Sequence, residues 1–184
     1  HIRHANVGTV SLANTHPFPR ELWGQYWCFA HNGQLADFYP AERFYRAVGE
    51  TDSEAAFCDL LNRIRDQFPS PAPAESLLPL LIEACGEYRT RGVFNCLLSN
   101  GEWLFSFCTT KLAQITRRAP FGPAQLRDAE LKVDFRAETT PDDVVTVLAT
   151  EPLTDNETWD LHAPGQWSLW RLGHCVASGQ VPAC

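Results

Sequence analysis

Between Thr51 and Gly92 the hydrophobic period is helical twice in succession, and this constrains the fold more than any other feature of the chain. Phe57, Leu60, Leu61, Ile64 and Phe68 fall on one helical face, and Leu77, Leu78, Leu81, Cys85 and Tyr88 repeat that face after a break. Thr51 and Glu54 stand at capping-box spacing, so the first helix starts at Thr51 or Asp52. Pro69, Pro71 and Pro73 end it and form a stiff connector. Pro79 then belongs in or near the first turn of the second helix, and Gly92 supplies its stop. On both sides the pattern is that of strands: residues 7–12 and 26–30 before, and 113–118, 144–151 and 167–172 after. Residues 93–99 and 102–109 form the clearest hairpin, because Asn100-Gly101 suits the positive φ angles of a two-residue turn. Two successive helices flanked by runs of strands suit antiparallel sheet covered by helices, an α+β fold and not a doubly wound parallel one. Residues 120–140 read as a surface excursion. Residues 1–173 read as one domain, and 174–184 as a C-terminal tail that frays.

Composition narrows the function. The 184 residues are 45% hydrophobic with a formal charge of −7, which argues against nucleic acid or an anionic membrane as the main partner and points to a small ligand. The most apolar runs, residues 77–82 and 144–149, are far shorter than the roughly 18 residues a membrane span needs. Seven cysteines without a Cys-x-x-Cys pair, mostly in apolar stretches, read as reduced core residues of a cytoplasmic protein. Phosphate-binding glycine loops, the two-histidine zinc helix and the Gly-x-Ser-x-Gly elbow are all missing, and the sequence points to no metal and no cofactor. Cys28 and His31 are close in sequence, but a strand followed by a turn does not converge them. Asn156-Glu157-Thr158 fits the glycosylation pattern without a secretory context. The six tryptophans are assigned mostly to the core. Because the chain starts at His1 inside a strand-like segment, it is expected to continue a longer one.

Four short polar motifs stand out in order: His1-Ile2-Arg3-His4-Ala5, Asn14-Thr15-His16-Pro17-Phe18, His31-Asn32-Gly33 and Glu50-Thr51-Asp52-Ser53-Glu54. With Arg20-Glu21-Leu22-Trp23-Gly24, Gly92-Val93-Phe94-Asn95, residues 116–122 and Glu151-Pro152-Leu153-Thr154, the chain resembles the class-II glutamine amidotransferases, in their single-domain bacterial YafJ-type branch. The resemblance implies an N-terminal-nucleophile (Ntn) hydrolase fold, a four-layer αββα sandwich, here without its first strands. It also implies a cysteine N-terminal to His1 that attacks the side-chain amide of glutamine through a thioester, its own α-amino group serving as base.

By the same resemblance Asn32 and Gly33 are the oxyanion donors, through a side-chain NH2 and a backbone N–H presented from a tight turn. Glutamine carries a carboxylate and an ammonium on its α-carbon, so its pocket needs a fixed cation and a fixed anion; Arg3 and Asp52 match those positions. His16 is a substrate-binding candidate that shapes the glutamine loop, with a hydrogen-bonded structural imidazole as its alternative. Each assignment has a plainer one beside it: Asn-Gly as a turn, Asp52 as a helix-start anion, Arg3 as a surface cation. The expected activity is hydrolysis of the glutamine amide. The alternatives are cleavage of a γ-glutamyl peptide or amide, and a non-catalytic module that binds glutamine.

Overall fold

The computed structural model describes residues 9–41, 43–127, 132–134 and 140–182. Strands β1 (Phe18–Leu22), β2 (Gln25–Leu35), β3 (Gly92–Ser99), β4 (Leu104–Phe107), β10 (Gln166–Arg171) and β11 (His174–Gln180) form an antiparallel sheet in the order β1-β2-β3-β4-β10-β11. A second sheet has the order β8-β5-β9, from β5 (Ala113–Arg118), β8 (Val144–Ala149) and β9 (Asp160–Leu161). A small hairpin joins β6 (Pro123–Gln125) to β7 (Lys132–Asp134) within the expected surface excursion. The helices are α1 (Asp52–Gln67) and α2 (Ala74–Tyr88), the latter followed by a 3-10 turn at Arg89–Arg91.

Strand register explains where the core lies. Phe29 pairs with Leu98, Leu98 with Phe105, and Phe105 with Leu169, so these four side chains form one row on one face of the large sheet, all at most 1% exposed. The helices cover that face: Phe57 of α1 stacks on Phe29 at 5.2 Å, and Tyr88 at the end of α2 meets Phe94 edge-on at 5.2 Å. Each such ring contributes about 2–3 kcal/mol by burial. On the opposite face Ser106, Ser168 and Trp170 are buried outside this cluster, whereas Tyr26, Cys28 and Asn32 of β2 are exposed. Among the described residues α1 and α2 form one helical layer, on one face of the large sheet.

Several local expectations need correction. Of the first expected strand, 7–12, residues 7 and 8 lie outside the described residues and 9–12 are irregular, running into a 3-10 turn at Leu12–Asn14, while β1 follows it unforeseen. The β3–β4 connection is a four-residue loop and not a two-residue turn, since Ser99 pairs with Leu104. The wider loop lets Trp103 bury against Trp27, ring centroids 5.3 Å apart, while Gly101 takes φ +91°. Pro79 lies inside α2 and not in its first turn, because the helix begins immediately after Pro73. The Glu75 carbonyl left without a donor lies on an exposed side. Of the tail 174–184 expected to fray, His174–Gln180 is instead β11, paired with β10 at both ends with a bulge at Val176.

Candidate active site

The end of β2 and the start of α1 form one unit. Thr51 caps α1, its hydroxyl accepting the Glu54 N–H at 3.2 Å, which places Asp52 at the first helical position where the helix dipole favours an anion. Asp52 Oδ2 accepts the Leu35 backbone N–H at 2.6 Å. One residue further, Ser53 Oγ lies 2.8 Å from His31 Nδ1, and His31 Nε2 lies 3.1 Å from the Val93 carbonyl oxygen. His31 is 3% exposed, and burial lowers its pKa from the usual value, with the Val93 bond and the Asp52 charge opposing. The ring is therefore neutral: Nε2–H donates to Val93 and Nδ1 accepts from the serine hydroxyl.

This docking fixes where Gly33 points. Phe94 sends its N–H to Thr109 Oγ1 at 2.8 Å, away from β2, so the Gly33–Phe94 pair is of the non-hydrogen-bonded kind. The Gly33 N–H therefore faces the edge of β2 opposite β3, the edge on which the Leu35 N–H meets Asp52. Donor and carboxylate share one edge, the two N–H groups about 7 Å apart along the strand. A side chain at Gly33 is excluded: at φ +151° its Cβ would lie 1.9 Å from the Val93 carbonyl oxygen. Asn32 and Gly33 thus lie inside β2 and not in the tight turn expected, because pairing with β3 continues past them to Leu35 and Gly92.

Asn32 points to the open face of the sheet, exposed. Beneath it lies Asn95, 2% exposed, which the sequence reading cited only within a motif. Its Oδ1 accepts the N–H groups of Thr109, Thr110 and Lys111 at 2.8, 2.9 and 3.2 Å. Its Nδ2 donates to the Asn32 carbonyl at 3.0 Å and to Thr110 Oγ1 at 3.0 Å.

Three of the four motifs are stitched together here. Asn14 Oδ1 accepts the Glu50 N–H at 2.8 Å, and Gly49 packs so closely on Asn14 that an added Cβ would lie 2.2 Å from the same oxygen. Glu54 completes only half of the expected capping box. Its buried carboxylate accepts the N–H groups of Val48 and Gly49 at 3.0 and 2.7 Å and pairs with Arg20 of β1. The His16 ring is buried and packs on Phe18, centroids 4.6 Å apart. Arg3, with the rest of the first motif, lies outside the described residues.

Cys28 and His31 occupy opposite faces of β2, as their exposure shows. Burial pushes the thiols of Cys58 and Cys85 up and that of Cys108 to about 11, and partial desolvation by its neighbours raises that of exposed Cys28, so these four carry thiols and not thiolates at neutral pH. A cleft of about 520 Å³ is lined by residues 37–41, Asp59, Arg63 and residues near Tyr88, and includes none of Asn32, Gly33 and Asp52. Much of its charge is satisfied internally, Arg63 pairing with Asp59 and Glu87.

The sequence profile of the class-II glutamine amidotransferases matches residues 1–184. The chain belongs to that family. The amidotransferase family name is also carried by YafJ of Escherichia coli strain K12, 51% identical over 178 residues, covering 96% of this chain and 70% of YafJ. The crystal structure of a predicted glutamine amidotransferase from Pseudomonas aeruginosa PA01 superposes with a TM-score of 0.88 at 71% identity, covering 96% of this chain and 70% of that one. Glutamine phosphoribosylpyrophosphate amidotransferase from Bacillus subtilis shares the fold alone, with a TM-score of 0.57 at 11% identity over 98% of this chain and 34% of its own. The α+β, Ntn-hydrolase fold expected for an amidotransferase is the one observed. This chain spans between 51% and 70% of the length of the curated relatives it matches. Among its described residues no helix is long and apolar enough to cross a membrane.

Proposed function

We propose that this chain carries the glutamine-binding and oxyanion-stabilising parts of a glutaminase site. Asp52 Oδ1, which accepts no hydrogen bond among the described residues, receives the substrate ammonium, and Arg3 receives its carboxylate. Three carbon–carbon bonds of about 1.5 Å then carry the amide along the edge of β2 toward the Gly33 N–H and the Asn32 NH2. A cysteine N-terminal to His1 attacks the amide carbon, the carbonyl oxygen becomes an oxyanion between those two donors, and ammonia leaves. Water then cleaves the thioester to release glutamate. His16 shapes the wall of the pocket, and the protein works on a free small molecule in the cytoplasm.

The observation that carries this reading is the shared edge. A strand N–H that a ladder would ordinarily consume and a helix-start carboxylate face the same side within a glutamine's length, and His31 and Ser53 lock one to the other. The test uses the full-length protein, including the residues N-terminal to His1. Asn32→Ala is expected to lower kcat by about 10²–10³-fold with KM for glutamine little changed, the usual cost of losing one oxyanion donor. Asp52→Asn is expected to raise KM. An active enzyme whose kcat ignores Asn32→Ala would remove the assignment. Faster turnover of γ-glutamyl dipeptides than of glutamine would reassign the substrate, and glutamine binding without turnover would leave a binding module.

A further inference from the structure

We infer that Asn95 is a positioning residue for the oxyanion site, setting which end of the Asn32 side-chain amide faces the substrate; this rests on the function proposed above. Asn95 is buried in the sheet, and the three N–H groups of residues 109–111 that converge on its Oδ1 leave its amide one orientation. An amide turned the other way would direct its NH2 at three donors. Its Nδ2 is thereby forced toward Asn32, where it bonds the backbone carbonyl at 3.0 Å and lies 3.5 Å from Oδ1. That second contact is long for a hydrogen bond, but it decides polarity: a donor beneath Asn32 holds the Asn32 oxygen down. The Asn32 NH2 is then the end presented to the open face, as an oxyanion donor requires.

The Asn32 amide has no other polar neighbour among its described contacts to choose its orientation, so the choice is made by residues 109–111, relayed through Asn95. Thr110 belongs to the same relay. Its N–H donates to Asn95 Oδ1 while its hydroxyl accepts from Nδ2, so one turn residue grips both ends of the Asn95 amide. Phe94, next to Asn95, donates its N–H to Thr109 Oγ1, which ties the same turn to the strand that flanks Gly33. The turn between β4 and β5 thus sets the Asn32 amide without touching the substrate.

The isosteric substitution Asn95→Asp tests this directly. The carboxylate still accepts the three N–H groups, so the turn keeps its anchor, but an acceptor now lies under Asn32 and the Asn32 NH2 rotates inward. In the full-length protein kcat is expected to fall about 10²-fold with KM for glutamine unchanged, matching loss of a donor. In an Asn32→Ala background the same substitution is expected to have no further effect. A loss of equal size in both backgrounds would overturn the inference while leaving the proposed function standing. Unchanged kcat in Asn32→Ala itself would overturn both.

A second readout needs no catalysis. The Asn32 side-chain NH2 resonances are expected to shift on Asn95→Asp as a charge-assisted bond forms, and unmoved resonances would overturn the inference. Asn95→Ser, which cannot reach Asn32, supplies the same cycle if the carboxylate does not fold. An approximately tenfold kcat loss confined to the Asn32 background is expected there, and a loss in both backgrounds would count against the relay.

Discussion

His31 shows how much one buried side chain decides. As a neutral ring it accepts a hydrogen bond from Ser53 and donates one to the Val93 carbonyl, joining α1, β2 and β3 at a single point. Its pKa is held below the usual value by burial, so the unfolded chain binds the proton more readily than the folded one. By linkage, the contribution of His31 to stability is complete above about pH 6.5 and is lost as pH falls from there through the lowered folded value. His162, which burial also lowers, acts in the same window, so the contribution of His31 is read as a difference. The melting temperature of the protein is expected to drop more between pH 7.5 and 5.5 than that of His31→Gln, and parallel curves would show that the ring does not titrate against folding. Ser53→Ala leaves Nδ1 buried without a donor, and a loss of about 1–3 kcal/mol in urea melts is expected, with KM for glutamine rising as Asp52 loosens.

At the scale of elements, α1 is held to the sheet by Glu54 as well as by its apolar stripe. The carboxylate is 1% exposed, accepts two loop N–H groups and faces Arg20 across from β1. Glu54→Ala strands these partners, and a loss of about 3–5 kcal/mol is expected from chemical denaturation. Exposed Glu50→Ala, on the same motif, is expected to stay within about 0.5 kcal/mol. The sequence made α1 legible because its start is a local matter: Thr51 and Glu54 are three residues apart. It could not show where the Glu54 side chain goes, because Arg20 lies 34 residues away and the choice between capping and pairing is made by packing. The local geometry of Asn32-Gly33 was misread for a similar reason. The pair is a turn signal by itself, and only the register with Val93 and Phe94 keeps it in a strand. Asn95 was nearly invisible, since a lone asparagine in an apolar strand carries no local pattern and its partners lie on a later turn.

Over the whole molecule, the large sheet ends on β11, a strand that sequence patterning does not announce. His174-Cys175-Val176-Ala177-Ser178-Gly179-Gln180 has few large apolar residues and stays largely exposed, as an edge strand that must resist further pairing does. Backbone pairing with β10 holds it, and so does one tight approach: a Cβ on Gly179 would lie 2.7 Å from the Trp167 ring, so the indole lies directly over the glycine. A glycine inside a strand marks such an approach. The consequence is measurable by hydrogen exchange. Only every second N–H of an edge strand points inward, so alternate amides of β11 are expected to be protected to a degree approaching that of β10, while their neighbours exchange freely. A frayed tail would leave all of them unprotected. Gly179→Val is expected to push the indole aside and erase the alternating protection in β11 while leaving β2 and β3 slow. If protection fell equally in β2 and β3, β11 would be part of one cooperative unit with the candidate active site and not a separately docked edge.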